Sequence, residues 1–153
     1  MSQESTTPDL VELGSRFLEA ANRRDFDAML SFFAPDAVWE GTALRSTFEG
    51  VAAIRGFLQD WFASYEELRF AQEEALDLGN GVVFSVVTQR ARLVGSSGEV
   101  RQRSGVVGEW VGGLIVGVTI YPNIDEARAA AQRLAGELGF AIRSRTTGRK
   151  GSR

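Results

Sequence analysis

Phe33-Ala34-Pro35-Asp36-Ala37-Val38-Trp39 is the stretch on which the architecture of this chain turns. Before it, apolar residues recur at helical spacing; at Pro35-Asp36 that period stops, and Ala37-Val38-Trp39-Glu40 reads as a short strand. Two helices therefore precede it. The first is expected to open at Thr7-Pro8-Asp9, with Thr7 as N-cap and Pro8 at the first helical position. Leu10, Leu13, Phe17, Leu18 and Ala21 give it one apolar face. The second starts at Asp25, whose side chain can cap it, and buries Phe26, Met29, Leu30 and Phe33.

Downstream, Glu49-Gly50 introduces a third helix in which Val51, Ile54, Phe57, Leu58, Trp61, Phe62 and Tyr65 fall at i, i+3, i+4 and i+7 offsets. Four strands follow: Leu68 to Leu78, Val82 to Val94, Glu99 to Val111 and Leu114 to Tyr121. Asn80-Gly81, Gly95-Ser96-Ser97-Gly98 and Gly112-Gly113 supply the turns between them. Asn123 with Glu126 three residues on announces a closing helix lined by Ala127, Ala130, Ala131 and Leu134, with Gly139 as its expected stop. Helices first, then an antiparallel meander, is an α+β pattern. The division predicted is a disordered N-terminus over 1–8, one domain over 9–140, and a disordered basic tail over 141–153.

Composition restricts the chemistry. The 153 residues include no His and no Cys, and the single lysine, Lys150, lies close to the C-terminus. Disulfides, thiolate metal sites, cysteine nucleophiles and imidazole bases are thereby excluded, and no cofactor or metal is expected. Asp, Glu, Arg, Ser, Thr, Tyr65 and Tyr121 remain as possible catalysts. Residues 143–153 carry five positive charges and no acid, leaving 12 basic residues against 20 acidic ones elsewhere, a net charge of about −8. That acidic body argues against a nucleic-acid partner. The most apolar stretch, Trp110 to Tyr121, is too short to span a bilayer, so no membrane association and a cytoplasmic location are expected.

Asn22-Arg23-Arg24-Asp25, Phe48-Glu49-Gly50, Trp61, Thr88-Gln89-Arg90, Tyr121-Pro122 and Glu126-Ala127, in this order around Phe33 to Trp39, resemble the nuclear transport factor 2-like superfamily. Within it the chain is most similar to the SnoaL-like, polyketide-cyclase-like branch, over about Asp9 to Leu134. The resemblance implies a cone-shaped, curved antiparallel sheet wrapped around the N-terminal helices, a cystatin-like α+β barrel, with a C-terminal helix. It also implies an apolar pocket at the mouth and a homodimer packed through the sheets. The scaffold hosts isomerases, cyclases, dehydratases, epoxide hydrolases and carriers, so the fold does not name a reaction. Ketosteroid isomerases of this superfamily use a Tyr, an Asp base and a second acid; laid onto this chain, those positions fall on Phe17, Gly41 and Val106. That chemistry is not expected here. The His–Asp pair of SnoaL-type cyclases cannot be carried over without His. For an epoxide-hydrolase-type Asp–Arg–Asp set, Arg90, Arg92, Arg101 and Arg103 are available, but no motif places an interior Asp.

Strand alternation maps the expected pocket. If Gly41 faces the cavity, Trp39 and Ala37 share its face while Val38 and Glu40 point away. If Val106 faces inward, Gln102, Ser104 and Trp110 do too, and Arg101, Arg103 and Glu109 take the other face. With Phe17, Phe57 and Trp61 these residues form an aromatic chamber for a small apolar ligand; the competing reading is that the aromatics simply fill the core. Gln89, Gln102 and Ser104 suit the orientation of a ligand carbonyl or hydroxyl. Glu40, if a bulge reversed its parity, and Tyr121 are the candidates for a titrating role. Arg90 and Arg92 are expected on an outer or dimer face, paired with Glu73, Glu74 or Glu109. A small-molecule-binding protein and an enzyme acting on a small apolar or polyketide-like substrate are the two functions carried forward.

Overall fold

A computed structural model describes residues 9–43 and 45–151, with residues 142–151 as helical backbone only. The elements run α1 (Leu10–Asn22), α2 (Phe26–Leu30), β1 (Phe33–Gly41), β2 (Ser46–Glu49), α3 (Val51–Ala63), β3 (Tyr65–Gly79), β4 (Val82–Leu93), β5 (Val100–Val111), β6 (Leu114–Tyr121) and α4 (Ile124–Gly151). The strands form one curved, unclosed sheet in the order β2-β1-β6-β5-β4-β3. Neighbours are antiparallel except β1 and β6, which pair in parallel. The helices α1–α3 fill the concave side, and α4 lies across the outside.

Local chemistry shifts several boundaries from those expected. Asp9 is the α1 cap, its side chain accepting from the Glu12 N–H at 3.1 Å; Thr7, Pro8 and the rest of the expected disordered N-terminus lie outside the described residues. Asp25 caps α2 by accepting from Ala28 N–H at 3.1 Å. This helix ends at Leu30, so Phe33 opens β1 instead of closing a helical stripe. Pro35, which has no N–H to donate, falls in the break of register between Phe33 and Val38, where the β1–β6 ladder makes no demand on it. β2 was not foreseen; its four residues hold strand geometry through pairing with Val38 to Gly41. Tyr65 belongs to β3, since α3 stops at Ala63. Gly139 does not stop α4, whose backbone stays helical to Gly151 through the segment expected to be a tail; residues 152 and 153 lie outside the described residues. Arg90 pairs with Glu99 at 3.2 Å, and Arg92 with Glu66 at 2.6 Å and Glu67 at 3.2 Å, because the β3–β4 register sets Glu67 opposite Arg92.

One polar clamp closes the concave side. The Asn22 side chain donates to the Phe70 carbonyl at 3.1 Å and accepts from the Phe70 N–H at 2.8 Å. Two residues on, Arg24 sits at φ 56° and its guanidinium donates to the Phe62 carbonyl at 3.1 Å and the Tyr65 carbonyl at 2.8 Å. The α1–α2 turn thereby holds the end of α3 and the start of edge strand β3. Behind it, Ala20, Met29, Ile54, Leu58 and Phe62 are essentially inaccessible and form the main core with Trp39 and Trp110.

A second core lies on the outer face, where Ala127, Ala131 and Ala135 of α4 press on Val82, Phe84, Val86 and Val107. Close approach depends on Gly105: a Cβ there would come within 2.3 Å of the Ala127 Cβ. Arg128 stacks over the Phe84 ring at 4.6 Å and pairs with Glu74 at 3.3 Å, and Asn80 donates to the Ala135 carbonyl at 2.9 Å. The sheet face on which the resemblance placed a second subunit is thus covered along β4 and β5 by the chain's own α4. Beyond the helix, Thr88 donates to Glu73, and Arg103 opposite Thr88 pairs with Glu73 at 2.9 Å.

Two measurements check this packing. Gly105→Val forces α4 off the sheet and should cost about 1–3 kcal/mol in chemical denaturation, an overpacking effect; an unchanged midpoint would contradict the docking of α4. The Thr88 hydroxyl first, then Arg103, hold the Glu73 carboxyl below its ordinary range. A depressed folded pKa gives stability that is present above the unfolded value and is lost as pH falls through the folded one. Wild type should therefore exceed Glu73→Gln in stability at neutral pH, with the gap closing in acid below the usual carboxylate range; a gap independent of pH would contradict the pairing.

Candidate functional site

Between the helices and the concave face lies a cavity of about 870 Å³. Its walls follow from two periodicities. On β1, alternation turns Ala37, Trp39 and Gly41 to the inside, with Trp39 only 5% exposed, and leaves Glu40 exposed. On β5 the same alternation turns Gln102, Ser104, Val106, Gly108 and Trp110 toward the cavity, and on β4 it turns Val83, Ser85, Val87 and Gln89. On α3 the helical period buries Ile54, Leu58 and Phe62 and carries Phe57 and Trp61 beside them to the lining. Phe17 arrives from α1, its ring edge-on to Phe33 at 5.7 Å.

All nine residues mapped to a pocket from the sequence (Phe17, Trp39, Gly41, Phe57, Trp61, Gln102, Ser104, Val106 and Trp110) line this one space. Trp39 meets Phe57 at 5.7 Å and Trp61 at 6.4 Å, and Trp61 meets Phe70 of β3 at 5.7 Å. Phe48 stacks on Phe57 at 4.3 Å, a contact invisible without β2. These rings pack on one another and also border open volume, so core filling and lining are not alternatives for them.

The candidates for titration go elsewhere. Glu40 is exposed on the opposite face of β1, where the pairing from Val38 to Gly41 is continuous and no bulge reverses parity. Tyr121 packs against the outer core under α4. Arg90, Arg92, Arg101 and Arg103 are absent from the lining. Tyr65, named from composition as a possible catalyst but not mapped to the pocket, lines the cavity with Asp60 as its titratable groups; Asp60, Gln72 and Ser85 were missed from the sequence. The i+3 step from Phe57 could have found Asp60, and alternation from Val83 could have found Ser85. Asp60 is exposed, as are Ala43, Gly56, Gln102 and Pro122, so these residues mark the mouth.

Three lining glycines leave space of their own. Gly14 in α1, Gly41 in β1 and Gly56 in α3 have ordinary backbone angles, and a Cβ on any of them would meet nothing within 4 Å. Among the described residues, no three His, Cys, Asp or Glu side chains gather as a metal site, and no helix is long and apolar enough to cross a membrane.

Comparison with known proteins places this geometry. A nuclear transport factor 2-like protein of unknown function from Burkholderia pseudomallei superposes with a TM-score of 0.68 at 21% identity, covering 78% of this chain and 95% of its own. A Catenulispora acidiphila protein with a ketosteroid isomerase-like fold, solved in complex with trimethylamine, gives 0.66 at 20% identity over 76% and 86%. TerC, co-crystallised with polyporic acid, gives 0.66 at 17% identity over 80% and 98%. At these identities the likeness is one of fold. No curated protein matches the sequence. The sequence pattern of the SnoaL-like domain, by contrast, matches residues 15–118, from the first helix through most of the last strand. The chain belongs to the SnoaL-like domain family of the nuclear transport factor 2-like superfamily.

Proposed function

We propose that this chain binds a small, largely apolar molecule in the cavity, and that binding is its function. The observation that carries the reading is the character of the three positions where ketosteroid isomerases keep proton-transfer groups. Phe17, Gly41 and Val106 all face the cavity, and none can move a proton. An 870 Å³ space walled by Trp39, Phe57 and Trp61 suits desolvation of a flat ring more than acid–base chemistry. The trimethylamine and polyporic acid bound by two structural neighbours support a small-molecule ligand for this fold. An enzymatic reading rests on Asp60 and Tyr65, the titratable groups of the lining, in place of Glu40 and Tyr121.

N-phenyl-1-naphthylamine, a neutral probe that fluoresces in apolar surroundings, tests the reading directly. Wild type and Glu40→Gln should bind it alike. Gly41→Leu, which extends a side chain into open space, should weaken binding at least tenfold while stability stays within about 0.5 kcal/mol. Undiminished binding by Gly41→Leu, or no binding by wild type, would defeat the proposal. Gly56 lies inside α3 with nothing in front of it, so Gly56→Ala should raise stability by about 0.5–1 kcal/mol in thermal or denaturant unfolding.

A further inference from the structure

On the convex face of the sheet, Arg69 of β3 is paired in register with Arg90 of β4, and Arg90 with Arg101 of β5. Paired residues share a face, so three arginines stand side by side across three strands, about 4.8 Å apart and about 10 Å from first to last. All three are exposed. Like charges directly opposite one another weaken a sheet, and these occur together in a chain of negative net charge. Their chain neighbours Phe70, Gln89 and Gln102 are paired in the same way and line the cavity, so the arginine row lies directly behind one stretch of the cavity wall.

The carboxylates around the row are already engaged. Glu99 pairs with Arg90 at 3.2 Å, Glu66 and Glu67 pair with Arg92, and Glu73 is held by Thr88 and Arg103. Among the described residues, Arg69 and Arg101 make no hydrogen bond or ion pair, and Arg101 acts on Glu73 through its field alone. Both ends of the row therefore carry charge with no counterion beside it. Guanidinium forks match phosphate oxygens two at a time.

The surroundings restrict the shape of an anion that gains from this row. Glu67 and Glu99 stand two residues from Arg69 and Arg101, about 6.8 Å to one side, and Glu73 flanks the other side beside Thr88. A broad polyanion such as duplex nucleic acid would press on those carboxylates. An extended acidic peptide presents one carboxylate per about 6.8 Å on a face, which sets at most two against the row. A linear oligophosphate carries charge on every successive phosphate and is narrow enough to stay between the carboxylates. We propose that Arg69, Arg90 and Arg101 form a binding site for a linear oligophosphate, either inorganic or the chain of a nucleoside triphosphate. The bound chain lies across β3, β4 and β5 and replaces repulsion within the row by charge-assisted hydrogen bonds. It thereby ties edge strand β3 to its neighbours, whatever the cavity holds.

Calorimetric titration and thermal unfolding in about 20 mM salt test the site with inorganic tripolyphosphate, metal-free ATP, inorganic phosphate and tetraglutamate. Wild type should bind tripolyphosphate at least tenfold more tightly than phosphate or tetraglutamate. Its unfolding midpoint should rise by at least about 5 °C at a hundredfold excess over the dissociation constant. Arg69→Gln/Arg101→Gln should bind tripolyphosphate at least tenfold more weakly, yet unfold without it no lower than wild type, since the row then repels itself less. Arg69→Gln alone should already weaken binding at least threefold. Arg16→Gln/Arg23→Gln, which removes the same charge from α1, should keep wild-type affinity within about twofold. ATP binding more tightly than tripolyphosphate assigns the site to a nucleotide, and equal or weaker binding assigns it to the inorganic chain. No response of wild type, unchanged affinity in the Arg69 variants, or an equal loss in the α1 variant overturns the proposal. So does tetraglutamate or phosphate binding as tightly as tripolyphosphate. A wild-type dimer that Arg69→Gln/Arg101→Gln dissolves, with no response to tripolyphosphate, gives the row to a second copy and overturns it as well.

Discussion

The hydrogen bonds that Asn22 and Arg24 make to backbone groups of Phe62, Tyr65 and Phe70 are the constraint on which the concave side depends. β3 is an edge strand with β4 as its sole sheet neighbour, so its twist alone would let it splay from the helices. The clamp fixes that edge to the α1–α2 turn with both N–H and C=O of Phe70 satisfied by one amide. It works at a site where the Arg24 backbone adopts a left-handed conformation, which only a well-held turn sustains. With the edge held, Phe70 stays against Trp61 and Phe62, and the aromatic wall keeps its shape.

That wall and the amide-hydroxyl wall solve different problems. Aromatic rings at 4.3 to 6.4 Å from one another hold each other in place, so they can border unfilled volume without collapsing into it. The β3–β5 patch adds uncharged amides and hydroxyls to the lining, and a Cβ on the glycines at 14, 41 and 56 would meet nothing within 4 Å. A helix interior favours alanine over glycine, so Gly14 and Gly56 are places where α1 and α3 forgo stability to leave volume.

Much of this was legible in the sequence because it follows from period. Alternation anchored on Gly41 and Val106 oriented β1 and β5, and the 3.6-residue period on Phe57 and Trp61 oriented α3. What escaped was tertiary in origin. β2 is a strand only through its pairing with β1, so Phe48 could not be placed on Phe57. Tyr65 continues the helical stripe of α3 perfectly well, and yields to β3 only because it pairs with Leu93 while its carbonyl is held by Arg24. On β3 the register shift between Gln72 and Glu74 interrupts alternation, which hid Gln72 from a parity argument. The parallel pairing of β1 with β6 and the run of α4 past Gly139 are likewise set by neighbours and not by local composition.

The small-on-small seam between Gly105 and Ala127 has one more consequence. On the convex side of the sheet, α4 packs over β4 and β5 from within the same polypeptide. The outer face of the bend is therefore braced by the chain's own last helix.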